Sequence, residues 1–337
     1  MKVAVFGTQS YDKQYLKEAN ENAGDAHELK FYKPNLTRDT LPLAEGYEAV
    51  CIFVNDVADR EVIEGLAARG VKLVALRAAG FNNVDLDAAR ERGVGVVRVP
   101  AYSPYAVAEH TVALLLALNR KIYRAFNRVR DGNFLLDGLT GFDVRGKTVG
   151  IVGTGKIGLA VARIFNGFGA RILAHDKYPS EEAKALGAEY VEVERLFEES
   201  DVVTLHCPLT PETYHLADAE AFERMKDGAV FLNTSRGALV ESSAMVDALK
   251  SGKLGGVGLD VYEEEADLFF KDLSDRVIQD DLFARLLTFP NVVVTGHQGF
   301  LTVEALRNIA ETTIGNITDY ERTGKSGNEV QPQRESA

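Results

Sequence analysis

A chain of 337 residues that is 46% hydrophobic can bury one large core or two ordinary ones. Its formal net charge of -12 argues against a nucleic-acid-binding surface, whose electrostatic footprint is basic. The longest apolar region, 107–118, is broken by Glu109 and His110 and is too short to cross a bilayer, so no membrane partner is expected.

The chain opens on MKVAVFGTQ, an apolar strand that lacks the long hydrophobic core of a secretory signal. Its two cysteines, Cys51 and Cys207, both fall in apolar strand-like runs. Buried free thiols and a reducing, cytoplasmic location are the expectation. Over 1–100, short apolar strands at 3–6, 29–32, 49–54, 72–75 and 95–99 alternate with helical stretches at 12–23, 59–69 and 85–92. That alternation predicts a parallel sheet with helices on both faces. Its first turn, Gly7-Thr8-Gln9-Ser10, lacks a full glycine fingerprint, so a dinucleotide is not expected on this sheet.

Prolines at 100 and 104 break the pattern, and 105–130 then reads as one long helix, apolar on most faces to Leu118 and basic beyond it. A helix apolar nearly all round crosses between domains or packs at a subunit contact, so self-association is expected. After a loop over 131–146, the run TVGIVGTGKIGLAVARIFNGFGARILAHD spans 148–176. It reads as a strand, a glycine turn, a helix and a second strand, with G-x-G-x-x-G at Gly153, Gly155 and Gly158. Gly153 permits the tight turn, Gly155 lets a pyrophosphate approach the backbone, and Gly158 lets the helix lie close on the strand. The helix start, at Lys156 and Ile157, offers free N–H groups and a positive dipole end to phosphates. Asp176 ends the second strand, where a carboxylate accepts hydrogen bonds from an adenosine ribose and repels a 2′-phosphate, favouring NAD over NADP.

Strands recur at 202–206, 229–233, 256–260 and 291–295, with helices at 219–226 and 242–251. A last helix at 302–321 has no strand after it, and 324–337 reads as a polar, mobile tail. The fold expected is α/β, two Rossmann-like doubly wound parallel-sheet domains with an interdomain active-site cleft. A discontinuous substrate domain, 1–101 plus 299–337, flanks an inserted nucleotide domain, 102–298.

Three strands of the second sheet are followed by residues able to do chemistry: Arg236 after the strand at 229–233, the acidic run 260–265, and His297 between Gly296 and Gln298-Gly299. For Glu263 and Glu264 a solvated face is the better reading. An arginine can hold a carboxylate bidentately, a histidine can pass a proton near neutral pH, and a glutamate can stabilise the imidazolium. Reduction of a 2-keto acid by hydride requires those parts. No Cys/His cluster has metal-ligand spacing, so no metal is expected.

Several motifs carry a resemblance: GTGKIG at 153–158, HCPLTPET at 206–213, NTSRGAL at 233–239, GLDVYEEE at 258–265 and TGHQGFLTVEAL at 295–306. ALRAAGFNNVDLDAA at 75–89 and VPAYSPYAVAEHT at 99–111 extend it into the first domain. With these the chain resembles the D-isomer-specific 2-hydroxyacid dehydrogenases over nearly its whole length, and within them the fermentative D-lactate subgroup. The resemblance implies reversible, NAD-linked reduction of pyruvate to D-lactate by a homo-oligomer, dimer or tetramer. It implies that Arg236 binds the substrate carboxylate, that His297 is the acid/base, and that Glu265 is its carboxylate partner. It further implies that the N–H groups of Ala79 and Gly80 help hold the carboxylate, while Tyr102 and Phe300 narrow the space around a methyl-sized side chain. On the cofactor side it places Asp260, Cys207, Pro208, Thr213, Thr234 and Ser235 with the glycine loop. Two readings compete: a dehydrogenase of the same fold for bulkier 2-keto acids, decided by pocket volume, and a cofactor-sensing binding protein, against which the lactate-subgroup motifs weigh.

Overall fold

The computed structural model describes residues 1–331; the remainder of the expected polar tail, 332–337, lies outside the described residues. Met1–Ser103 with the chain from Leu301 forms one compact unit, and Pro104–Phe300 forms another.

In the first unit, β1 (Lys2–Val5), β2 (Glu28–Phe31), β3 (Ala49–Ile52), β4 (Leu73–Leu76) and β5 (Gly95–Val97) are joined through α1 (Ser10–Asn22), α2 (Arg60–Ala68) and α3 (Leu86–Arg92). All strand pairs are parallel, in the order β2-β1-β3-β4-β5. β3 and β4 are buried at every position, the signature of strands covered on both faces. Asp59 and Asp85 cap the N-termini of α2 and α3 by accepting from Val62 N and Ala88 N, which fixes where each helix begins.

The second unit begins with α4 (Pro104–Asn119) and α5 (Ile122–Arg130). The single long helix expected over 105–130 is therefore two. Asn119 turns its amide to the Phe142 backbone, donating to its carbonyl and accepting from its N–H, both at 2.7 Å. Lys121 takes a left-handed φ of 50°, and its ammonium reaches the carbonyls of Gly138 and Thr140. The apolar face of α4 is also used differently from expectation. Ala108, Val112, Leu114, Leu115 and Leu118 pack into a core of their own unit with Ile151, Val161, Phe165 and Leu232. The exposed apolar side chains, Ile122, Phe126 and Val129, lie on α5.

There follow β6 (Thr148–Val152), α6 (Lys156–Gly167), β7 (Arg171–His175), α7 (Glu181–Ala185), β8 (Glu189–Tyr190), α8 (Val193–Glu199), β9 (Val202–Leu205), α9 (Ala219–Arg224), β10 (Ala229–Asn233), α10 (Ser242–Ser251), β11 (Leu254–Leu259), α11 (Asp281–Leu286) and β12 (Val292–Val294). Their sheet is parallel throughout, in the order β12-β11-β10-β9-β6-β7-β8. The order reverses at β6, which lies between β7 and β9. Ligands of open α/β sheets collect outside the carboxyl ends of the strands at such a switch point.

The chain then returns to the first unit in α12 (Val303–Thr323), whose Ala310, Ile314 and Ile317 pack with Val3, Val5, Leu16 and Leu73. Gly324 ends it at φ 71°. The next residues are not loose. Arg98 N donates to Asn328 O at 3.1 Å, and Val330 N donates to Val96 O at 2.9 Å, so the segment runs along β5. Ser326 Oγ and Asn328 Nδ2 both donate to the buried Asn316 Oδ1. Among the described residues no helix is long and apolar enough to cross a membrane.

Candidate active site

At the switch point, Gly153 turns at φ 94°, and a Cβ there would meet Cys207 N at 2.5 Å. Gly158 is held as tightly, since a side chain on it would run into the Gly153 carbonyl. Gly155 is different. It is the N-cap of α6, has no side-chain cap, and a Cβ on it would meet nothing within 4 Å. Two glycines are thus required by packing and the third leaves open backbone beside the free N–H groups of Lys156 and Ile157. This donor set fits a pyrophosphate. Asp176 closes the turn from β7: Oδ2 accepts from Thr154 N at 2.5 Å and Thr154 Oγ1 at 3.1 Å, and Oδ1 accepts from Tyr178 N at 2.8 Å.

The hydroxyls expected near the cofactor all have partners within the protein. Thr213 Oγ1 donates to Pro208 O, Ser235 Oγ donates to Cys207 O, and Thr234 Oγ1 bonds Thr111 Oγ1 of α4. These contacts brace the loops after β9 and β10. Burial pushes the Cys207 thiol up to about 11, so it stays protonated near neutral pH. Burial also pushes His206 down to about 3, which keeps its ring neutral beside the glycine turn.

Arg236 follows β10, half-buried, with Nη1 donating to Ser235 O at 2.7 Å. Among the described residues no carboxylate pairs with it, which leaves its charge for a ligand. After β11, the acidic run divides by function. Glu265 Oε1 lies 2.8 Å from His297 Nδ1, and its Oε2 accepts from Tyr262 N. Glu264 is exposed. Glu263 is not the solvated acid expected: its Oε1 pairs with His215 Nε2 at 2.5 Å and its Oε2 accepts from Ser242 N. Burial alone raises the Glu263 carboxyl, but those contacts with His215 and Ser242 outweigh it and hold it below the ordinary range.

His297 follows β12 at φ 53°, its N–H donating to the Asp260 carbonyl at 2.8 Å. The Asp260 carboxylate then fixes the neighbours of His297. Oδ1 accepts from Thr295 Oγ1 at 2.5 Å and Gln298 N at 2.8 Å, and Oδ2 accepts from Gly299 N at 2.7 Å. His110 Nε2, on α4, sits 3.0 Å from Thr295 Oγ1 and 3.3 Å from Asp260 Oδ1. Burial raises the Asp260 carboxyl, but the bonds from His110, Thr295 and Gln298 bring it below its usual value, so it is ionised. The bracing role of Asp260 leaves no local mark in the sequence, because Thr295, Gln298 and Gly299 lie 35 to 39 residues away and His110 lies further still, on α4.

In the first unit, Ala79 O accepts from Arg98 Nη1 at 2.8 Å, and Tyr102 O accepts from Asn308 Nδ2 at 2.6 Å. Phe300 is buried at the end of the second unit. Among the described residues no group of three His, Cys, Asp or Glu side chains is arranged to hold a metal ion.

Residues 112–299 match the family model described as D-isomer specific 2-hydroxyacid dehydrogenase, NAD binding domain. D-lactate dehydrogenase of Escherichia coli K12 is 57% identical over 330 residues, covering 98% of this chain and 100% of that protein. The apo-structure of D-lactate dehydrogenase from Escherichia coli aligns with a TM-score of 0.89 at 54% identity, covering 98% of this chain and 100% of the other. A D-lactate dehydrogenase from Aquifex aeolicus, solved with NAD and lactic acid, aligns with a TM-score of 0.86 at 32% identity, covering 98% and 99%.

Proposed function

The chain belongs to the D-isomer-specific 2-hydroxyacid dehydrogenases, which are NAD-linked oxidoreductases, and from that premise we propose that it interconverts pyruvate and D-lactate. The observation that carries this reading is the His297–Glu265 pair, on the same sheet edge as an Arg236 that no carboxylate of the described residues neutralises. When bound, the reduced cofactor NADH would supply the hydride in reduction, and the oxidised form NAD+ would take one up in oxidation. Arg236 holds the substrate carboxylate through its planar fork. His297, its Nδ1 engaged by Glu265, presents Nε2 to the substrate oxygen. As imidazolium it delivers its Nε2 proton to the carbonyl oxygen while the carbonyl carbon gains the hydride. In the reverse direction neutral Nε2 takes the hydroxyl proton. Glu265 stabilises the imidazolium and fixes the ring plane, and Asp260 holds the turn that carries His297.

The N–H groups of Ala79 and Gly80 are further proposed donors to the substrate carboxylate, with Tyr102 and Phe300 beside its methyl group. Cys207, Pro208 and Asp260 are assigned to the nicotinamide side. Asp176 is assigned to the adenosine ribose, and the loop from Gly153 to Gly158 to the pyrophosphate. A cytoplasmic homo-oligomer is the setting proposed. The test is loss of NADH absorbance on adding pyruvate, followed by kcat/KM for pyruvate, 2-ketobutyrate and phenylpyruvate side by side. Highest kcat/KM for pyruvate is expected; preference for phenylpyruvate, or no turnover of any of the three, overturns the reading.

A further inference from the structure

The segment 78–81, just past β4, is held by two donors from the residues that follow β5. Val99 N donates to Ala78 O at 3.1 Å, and Arg98 Nη1 donates to Ala79 O at 2.8 Å. No peptide bond in the described chain is cis. In a trans peptide the carbonyl and the N–H of the next residue point opposite ways. The Ala79 N–H is therefore turned away from the Val99 backbone, and the Gly80 N–H is turned away from the Arg98 guanidinium. Neither N–H has an acceptor among the described residues.

Arg98 is itself fixed on three sides. Its guanidinium lies 5.2 Å over the Phe81 ring. Its N–H donates to Asn328 O, and its carbonyl accepts from Asn316 Nδ2 at 2.8 Å. Among the described residues no carboxylate pairs with it, so its charge goes to the Ala79 carbonyl and the Phe81 ring. We infer that Arg98 is a positioning residue for substrate binding: by holding the Ala79 carbonyl it sets the direction of the Gly80 N–H, one of the two backbone donors to the substrate carboxylate. The inference rests on the reading of Ala79 and Gly80 given above. A guanidinium suits this task because one planar group can both stack on a ring and direct an N–H at a fixed carbonyl.

The experiment measures KM and kcat for pyruvate, and KM for NADH, in Arg98→Met and Arg98→Lys. Methionine keeps the reach and loses the donor. Its KM for pyruvate should rise about ten-fold, with kcat within about two-fold, as expected for loss of uniform binding. KM for NADH should not move. Lysine restores one donor without the plane and should recover part of the rise. Should the methionine variant fail to fold, the lysine variant carries the test with a KM rise of about three-fold. Wild-type KM in every folded variant overturns the inference, as does a joint fall in kcat and NADH affinity, which marks general disruption. A wild-type chain inactive on pyruvate defeats the functional reading instead, and so separates the two failures.

Discussion

Asp176 accepts from both the N–H and the hydroxyl of Thr154, so a carboxylate read as a ribose acceptor also fastens the glycine turn. Asp176→Ala should therefore lose the preference for NADH over NADPH and bind both less tightly. Hydrogen bonds to a charged group are worth about 1.5–3 kcal/mol, or roughly 10- to 150-fold in KM for NADH. KM for the two cofactors checks it, and an unchanged ratio moves the determinant elsewhere. At Arg236 the fork matters beyond the charge. Arg236→Lys should lower kcat/KM for pyruvate by roughly 30- to 1000-fold, about 2–4 kcal/mol; near-native kinetics would remove Arg236 from the carboxylate. His206 gives a pH dependence of stability. Burial pushes its folded-state value down to about 3, while the unfolded chain titrates near about 6.5. Between those values the unfolded state binds a proton that the folded state refuses, so stability falls as pH falls through this window. The loss grows toward the low end of that window. His206→Gln removes the titration, and its melting temperature should drop less than wild type between pH 7 and pH 5. Equal drops would show that His206 is not the group responsible.

The C-terminal segment has the structure of an element although its sequence is polar. Removing residues after Lys325 strips Asn316 of two partners, Ser326 and Asn328, and strips Val96 and Arg98 of one bond each. Truncation uncovers Asn316, which is 4% exposed with the segment in place, so what is lost is the net worth of each bond over water, about 0.5–1.5 kcal/mol. The truncated chain should be about 2–4 kcal/mol less stable, read from urea unfolding of both forms. Coincident unfolding curves would defeat this. The segment was illegible because its order comes from side-chain amides on α12, not from apolar periodicity. The strands were legible for the opposite reason. β10 and α10 begin and end where the sequence places them, since a parallel strand buried on both faces is an unbroken apolar run. The α4–α5 break was missed because no glycine or proline marks it; it depends on Asn119 meeting Phe142 across the intervening loop. The Glu265–His297 contact was legible because both residues follow neighbouring strands of one sheet, as Arg236 does. The site was not legible where a partner comes from further along the chain, as with Glu263 and His215, or with His110, Thr295 and Asp260.

At the scale of the whole molecule the feature left without a partner is the arm formed by α5 and the loop after it. Arg128 Nη1 donates to Leu135 O and Asp137 O, so the arm has a defined shape. Yet Ile122, Phe126, Val129, Phe134, Leu135 and Leu136 on it are all exposed, Leu136 to 79%. A soluble monomer rarely presents so many large apolar side chains together. Residues 120–130 carry five basic side chains and no acidic one, on a chain whose net charge is -12. The basic charge sits on 120–130 while the loop adds Asp131 and Asp137, so the helix is the part complementary to the acidic surface of another copy, and electrostatic complementarity steers such pairing. The expected occupant is a second copy of this chain. The expected face is α5 and its loop, not the apolar length of α4, which is buried in its own unit. Light scattering on the eluting wild-type protein should give a mass of two or four chains. Phe126→Asp combined with Leu135→Asp puts charge into the contact without touching the buried cores, and should move the mass to that of one chain. Circular dichroism of the double variant should match wild type. A wild-type protein that elutes at the mass of one chain, or a double variant that keeps the wild-type mass, would show that the arm does not join copies.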